Sequence, residues 1–373
     1  GFHRYSTDEY WLVPHFEKML YDNALLTLAY LEAWQVTKNS LYLDVAKDTL
    51  NYILRDMQDK DGGFYSAEDA DSEKTEGKFY VWQYTELKSL LTPQEFTKIV
   101  SIFNIKPEGN FHISKSVSEI EKKAGLQELQ AANILALPLN EEVDLNDLEV
   151  KCAMRKMFAH RSRRVRPGLD NKILTSWNGL MLGAMSRAAR IIGDQSYKDS
   201  AIRSATFLTQ KLTDKGHQLL HSYRDDKAKI NGFLEDYAFL IFGLRELYQA
   251  TFDLKWLEHA HTLQNIQNKL FWDTKNKGFF DSDGKDSHVI VQSKTFADNA
   301  IPSPNSMSAL NLLTLGSYFQ NTDFKKMGRE LLQSISVNLN QYPTSFPFML
   351  VALDYALDRH KEIVLSYENT VDL

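Results

Sequence analysis

Nine residues, His15 to Asn23 (HFEKMLYDN), place an imidazole, two carboxylates, an ammonium, a phenol and an amide directly ahead of a strongly apolar run. Polar groups crowded at the start of a buried helix serve either as caps or as a site. Comparable starts recur three times with different polar sets: Trp177 and Asn178 in SWNGLM, Asp236 and Tyr237 in EDYAFL, and Ser303 and Asn305 in SPNSMS. Asp22 and Asp236 hold equivalent places, with Tyr21 before one and Tyr237 after the other. A carboxylate beside an aromatic ring suits a sugar, which needs an acceptor for its hydroxyls and a flat face to stack on. We therefore expect Asp22 and Asp236 to act as acid and base or as hydroxyl acceptors, His15 to carry protons, and Trp177 and Tyr237 to stack. His3, Arg4, Tyr21, Asn23, Asn178 and Asn305 are expected to bind substrate beside them. Ordinary helix capping is the competing reading for each Asp and Asn.

A second acidic group, Glu68, Asp69, Asp71 and Glu73, sits in a Gly-flanked loop. Paired carboxylates serve glycoside chemistry when one is held protonated and the other ionised. Glu68 and Asp69 therefore join the expected catalytic set, and Asp71 the binding set. An EF-hand calcium loop is excluded, because Lys74 stands where Gly is needed and Tyr80 where Glu is needed. Among the 10 histidines, His217 and His221 are four apart but fall in a turn and a strand, where that spacing does not bring them to one face. His259 and His261 fall on a water-facing helix. No metal site follows, and no cofactor motif such as GxGxxG, a P-loop or a nucleophile elbow occurs.

Arg161, Arg163, Arg164 and Arg166 lack interleaved aromatics, in a chain whose net charge is −6. Nucleic acid is not expected; cations at a helix end, or ion pairs to the acidic loop, are. The single cysteine, Cys152, excludes an intramolecular disulfide frame and fits a reducing, cytoplasmic setting. No run of 18 apolar residues offers a membrane span.

The elements that must carry these groups repeat. ALLTLAYLEAW (24–34) has almost no polar face and reads as a helix enclosed on every side, whereas 42–57 shows a single apolar stripe. The pair, closed by a Gly turn, recurs from Ser176 and from Glu235, and a fourth copy from Pro304 leads instead into a further helix, PFMLVALDYAL. Asn23 to Tyr42, Asn178 to Tyr197 and Tyr237 to Trp256 are in one register. Such units cannot bury their apolar faces alone and must stack. Alternating enclosed and striped helices predict two concentric layers: an all-α toroid of helical hairpins with short β-hairpins at one rim. Residues 64–114 read as a strand-rich elaboration containing a helix pair near 84–103. Residues 115–147 read as a surface excursion, and 147–164 as a helix. We expect a toroid domain over 1–360 with about five of six hairpins, and a C-terminal segment beginning at 361 with the strand KEIVLS.

GFHRYSTDEYWLVPHFEKMLYDNA, GGFYSAEDADSE with GKFYVW, RPGLDNKILTSWNGLM, LEDYAFLIFGL and AIPSPNSMSALNLL resemble the long C-terminal part of a family of thioredoxin-domain proteins named after spermatogenesis-associated members in animals. The resemblance covers nearly the whole chain. It implies an (α/α)6 toroid of the six-hairpin glycosidase type, similar to N-acylglucosamine 2-epimerase, and an N-terminal thioredoxin-like domain absent from this chain. Epimerases and hydrolases of that type use His or paired acids at the inner rim, where His15, Asp22, Glu68, Asp69 and Asp236 are the matching positions. The expectation is a domain that acts on a saccharide by epimerisation or hydrolysis. The alternative is a non-catalytic scaffold that binds a peptide or client beside a thioredoxin-like partner.

Overall fold

The computed structural model describes residues 1–110, 131–138, 143–285 and 291–358. The chain divides into two compact units, Gly1–Asp59 with Phe64–Lys172, and Lys60–Gly63 with the chain from Ile173 onward. KEIVLS and most of the 115–147 excursion lie outside the described residues.

In the first unit, strand Tyr5–Ser6 pairs with Pro14–His15 ahead of helix α1 (Leu20–Thr37) and helix α2 (Ser40–Tyr52), which a π turn prolongs to Met57. Lys38 adopts a left-handed backbone to end α1, and Asn39 accepts the Leu41 N–H to start α2. Ala29 and Glu32 are exposed, so α1 is not enclosed on every side as its apolar run suggests. The expected short helix pair is α3 (Tyr84–Leu90) and α4 (Pro93–Ile102), each opened by a capping box. Helix α5 (Leu148–Arg161), capped by Asp147, packs its Val150, Ala153 and Met157 against Trp82, Leu87 and Ile99. The strand-rich elaboration is realised as two-residue strands. The sheet that matters most pairs Lys18 with Glu68, which in turn pairs with Leu169.

The second unit holds three hairpins in series: α6 (Thr175–Ile192) with α7 (Gln195–Lys211), α8 (Leu234–Thr251) with α9 (Leu254–Phe271), and α10 (Pro304–Tyr318) with α11 (Thr322–Ser334). Two further helices follow, α12 (Ser336–Gln341) and α13 (Pro347–Leu357). Here the alternation read from the sequence holds. Thirteen residues of α6 are buried in near-unbroken succession, and likewise Asp236–Leu247 of α8, whereas α7, α9 and α11 bury single stripes. The outer helices α7 and α9 each end in a one-residue bridge, Thr213 to Leu219 and Trp272 to Phe279, the same feature that joins Gln58 to Phe64 in the first unit. His261 is partly covered on its outer helix. Its ring lies 4.3 Å from that of Phe319 and 5.4 Å from that of Phe324.

Inner helices α6 and α8 meet through glycine. A Cβ on Gly179 would stand 2.4 Å from the Phe239 carbonyl carbon and 2.5 Å from the Leu240 nitrogen, and one on Gly243 would stand 2.5 Å from the Gly179 oxygen. The obstacle is backbone, so no rotamer change relieves it. Gly179→Ala is expected to destabilise the protein by more than about 3 kcal/mol in chemical denaturation; an unchanged midpoint would mean the two helices are not in close backbone contact.

Candidate active site

Glu68 is the electrostatic centre of the first unit. It is 2% exposed, accepts the Tyr52 hydroxyl at 2.8 Å and the Tyr80 hydroxyl at 3.2 Å on Oε2, and takes Arg166 at 2.9 Å on Oε1. Arg166 also grips Asp56 at 2.8 Å, while Arg164 reaches Glu86 and the Phe79 and Val81 carbonyls. The basic run thus makes the ion pairs to the acidic loop that its composition suggested. Burial works to lower the Arg166 pKa, but the Glu68 hydrogen bond and charge more than reverse it. Across the strand, the buried ammonium of Lys18 lies between two rings, 4.5 Å from the Tyr52 centroid and 4.7 Å from the Tyr80 centroid. Burial brings it down to about 8, against the pull of Glu68. Both phenols are pushed up, first by burial and then by the Glu68 charge. Glu68 anchors this network, with both oxygens occupied.

Beside it lies a chain of titratable groups. Glu76 Oε1 takes His15 Nδ1 at 2.8 Å and the Phe16 N–H at 3.2 Å. His15 Nε2 stands 3.5 Å from Glu17, which Arg4 also reaches at 3.1 Å. Asp71 sits opposite Glu76 in a two-residue strand pair and is raised by burial, then by Asp69 and Glu76. Asp69 is exposed and accepts the Asp71 N–H. In the first turn of α1, Asp22 is half-buried and its Oδ2 has no hydrogen-bond partner. Burial pushes it up to about 6; Arg4 opposes the shift and Glu17 adds to it. Tyr21, mostly core, is raised by burial and then by Asp22.

Of these groups Arg4 lines a cavity of about 700 Å³, walled by Phe2, Phe16, Tyr30 and Tyr80, with His3 and Arg161 as its other basic members. His3 Nδ1 lies 2.9 Å from the Phe16 carbonyl oxygen, and burial, then Lys18, drives the ring down to about 3, so it is neutral at physiological pH. Leu26, one helical turn beyond Asp22, lines the same space. The expected residues His3, Arg4, His15, Tyr21, Asp22, Glu68, Asp69 and Asp71 therefore share one unit. Lys18, Tyr52, Tyr80, Glu17, Glu76 and Arg161 are the members sequence reasoning missed, because no local spacing ties them together.

Asn23 also lies in the first unit, and Trp177, Asn178, Asp236, Tyr237 and Asn305 belong to the second. Asp236, fully buried, takes the Ser176 N–H at 2.9 Å, the Phe233 N–H at 2.8 Å and His221 Nδ1 at 2.9 Å. Burial raises its pKa, and the His221 hydrogen bond opposes the rise. One carboxylate thus caps its own helix, holds the start of α6 and orients an imidazole. Glu235, raised by burial and then by Asp236, accepts the Ser176 hydroxyl. His221, Glu235 and Asp236 are the one group of ligand-type side chains among the described residues with donor atoms all within 4.8 Å. A cation there would have to displace three N–H donors from Asp236.

Asn305, fully buried, accepts the Phe279 N–H at 2.8 Å and donates to the Phe279 and Thr295 carbonyls. Tyr237 is core, and its hydroxyl accepts the Leu219 N–H at 2.9 Å. Asn23, in the first unit, accepts the Phe2 N–H at 2.7 Å. These three are backbone clamps, not exposed hydroxyl acceptors or a stacking platform. Asn178 is buried and donates to the Leu174 carbonyl, and Trp177 is half-buried.

Two measurements follow. Because Asp22 is held above its ordinary 3.8, its contribution to stability is complete below that value and lost as pH rises through about 6. Wild type should therefore lose about 1 kcal/mol relative to Asp22→Asn between pH 4 and 7, after allowance for its open side; parallel stability curves would place Asp22 in water. Asn305→Ala strands buried groups of Phe279 and Thr295 and should cost about 2 to 4 kcal/mol in denaturant unfolding; a loss below about 0.5 kcal/mol would remove the clamp.

No protein-family profile matches the chain. It is 34% identical to human spermatogenesis-associated protein 20 over 391 residues, covering 98% of this chain and 50% of that protein. It is 32% identical to the uncharacterised protein B0495.5 of Caenorhabditis elegans over 379 residues, covering 95% and 51%. The chain therefore spans about half the length of the curated relatives it matches. Cellobiose 2-epimerase from Bacillus thermoamylovorans superposes with a TM-score of 0.55 at 10% identity, covering 95% of this chain and 79% of the enzyme. Over the region it shares with them, the chain belongs to the spermatogenesis-associated protein 20 family, with the fold of the (α/α)6 helical-hairpin enzymes.

Proposed function

We propose that the chain is a carbohydrate-active domain that moves a proton on a sugar held in the cavity of its first unit, in the manner of an epimerase or isomerase. The observation that carries this reading is Asp22: a half-buried carboxyl pushed up to about 6, with one oxygen unpartnered, a turn away from the wall of an aromatic cavity of about 700 Å³. A general acid or base works best when its pKa lies near the operating pH. As carboxylate, Asp22 takes the proton from the carbon beside the sugar carbonyl, leaving an enediolate whose negative oxygen Arg4 stabilises. The proton returns to the same carbon on its opposite face, or to the neighbouring carbon, with His15 as the second carrier. Glu76 fixes one nitrogen of that ring, and Glu17 lies beside the other. Phe16, Tyr30 and Tyr80 offer faces for the sugar C–H groups.

The likeness of fold to cellobiose 2-epimerase supports the class and nothing finer. Glycosidic hydrolysis asks for two converging carboxyls, and Glu68 and Asp236, held by their own partners, are less suited to it than Asp22 is to proton transfer. A thioredoxin-like domain in a longer protein would be a neighbour of this activity, not a part of it.

The test is deuterium exchange from solvent into the carbon beside the carbonyl, followed by NMR across a panel of aldoses and ketoses. Asp22→Asn should lower exchange at least about 100-fold with binding retained, while Asp236→Asn should act through stability. Full exchange in Asp22→Asn would end the proposal. No exchange with any sugar in the wild type would favour the non-catalytic scaffold.

A further inference from the structure

Among the described residues, Arg161 is a cation without a carboxylate partner. The other basic groups around the Glu68 network have carboxylates: Arg55 and Arg166 share Asp56, Arg166 and Lys18 share Glu68, and Arg164 holds Glu86. Arg161 has no ion pair or hydrogen bond to a carboxylate among the described residues. Its Nε is buried with no hydrogen-bond partner among the described residues. The guanidinium instead rests on three rings, 5.4 Å from the Phe79 and Tyr80 centroids and 5.6 Å from that of Phe158. It also lines the cavity of about 700 Å³. Burial, then the charges of Arg164, Arg166 and Arg55, disfavours its charged form, although an arginine stays protonated throughout the accessible range. Its basic neighbours, Lys18 and His3, are both pressed towards neutrality by burial. A half-buried cation with no counter-charge among the described residues is costly unless something supplies one.

We propose that Arg161 seats a carboxylate or phosphate group of the cavity's ligand, so that the site takes an acidic sugar in preference to a neutral one. This rests on the sugar reading of the cavity and adds the substrate class to it. A planar guanidinium backed by aromatic faces presents its N–H groups to a two-oxygen anion in one plane, the geometry in which arginine outperforms lysine. The aromatic walls hold the ring of the sugar and the guanidinium its charged substituent. Lys18, partly deprotonated near pH 8, regains its proton when an anion arrives, so binding of the acid should take up protons in weakly alkaline buffer.

The experiment measures dissociation constants by ligand-dependent melting of the whole chain for four probes: glucose, glucuronate, glucose 6-phosphate and inorganic phosphate. Wild type is compared with Arg161→Met, which keeps the apolar stem on the rings, and Arg161→Lys, which keeps the charge without the fork. The expected result is that glucuronate or glucose 6-phosphate binds at least about tenfold tighter than glucose. That preference should be lost in Arg161→Met and weakened in Arg161→Lys, with both variants melting cooperatively without ligand. The sugar acid and the phosphate ester are told apart by which binds tighter. Glucose binding as tightly as both acids would overturn the anion seat and leave the sugar reading standing. Retention of the acid preference in Arg161→Met would also overturn it, by placing the anion elsewhere. Binding of inorganic phosphate alone, or of none of the four, would overturn both proposals.

Discussion

A strand of one or two residues cannot satisfy its own backbone, and apart from Leu220–Arg224 and Lys227–Asn231 the strands of the described residues are no longer than that. The constraint is met from the helices. Asn23 accepts the Phe2 N–H, Tyr237 the Leu219 N–H and Asn305 the Phe279 N–H, each from the first turn of an inner helix. An unpaired buried amide costs more than a normal hydrogen bond gains, so the turns at Leu219 and Phe279, and the chain at Phe2, sit where such a side chain waits for them. The clamp thereby fixes how far the turn reaches, and with it the backbone at one end of each inner helix. In the first unit the backbone fixed this way is Phe2, which lines the cavity and is followed directly by His3 and Arg4.

The helical architecture was legible because it repeats. Asn23, Asn178 and Tyr237 mark one register with their outer-helix partners, and the uninterrupted apolar runs of α6, α8 and α10 correspond to helices buried on nearly all sides. The same register does not by itself tell a backbone clamp from a ligand-binding group. Residues that recur at one place in successive hairpins read as a rim of ligands, whereas a recurring position also answers a need that the repeats share. Asn305 and Tyr237 serve the turn, and Asp236 serves two helix starts. Asp22 differs from Asp236 in its surroundings, not its sequence context. One oxygen of Asp22 lacks a partner, while both oxygens of Asp236 are engaged.

The groups that were not legible come from segments far apart in the chain. Lys18, Tyr52, Tyr80 and Arg166 meet around Glu68 only because the strand at Ala67–Glu68 lies between Lys18–Met19 and Leu169–Asp170. No period or motif connects residue 18 to residue 166. A lysine between Glu17 and Met19 carries no sign that it will be buried between two phenols. Their ring faces, together with Glu68, compensate its charge, so this part of the molecule is held by electrostatics where the second unit is held by close packing.

The hairpin that precedes α1 carries one more consequence. Asp8 accepts the N–H groups of Tyr10, Leu12 and Val13, winding the loop so tightly that Trp11 adopts a left-handed backbone at φ 58° and stands 74% exposed at the margin of the cavity. Trp82, by contrast, is sealed in the core. An indole in water emits at longer wavelength than one enclosed by apolar groups. The protein therefore carries a fluorophore of its own at the mouth of its cavity, and a molecule settling there would shift the emission towards the blue.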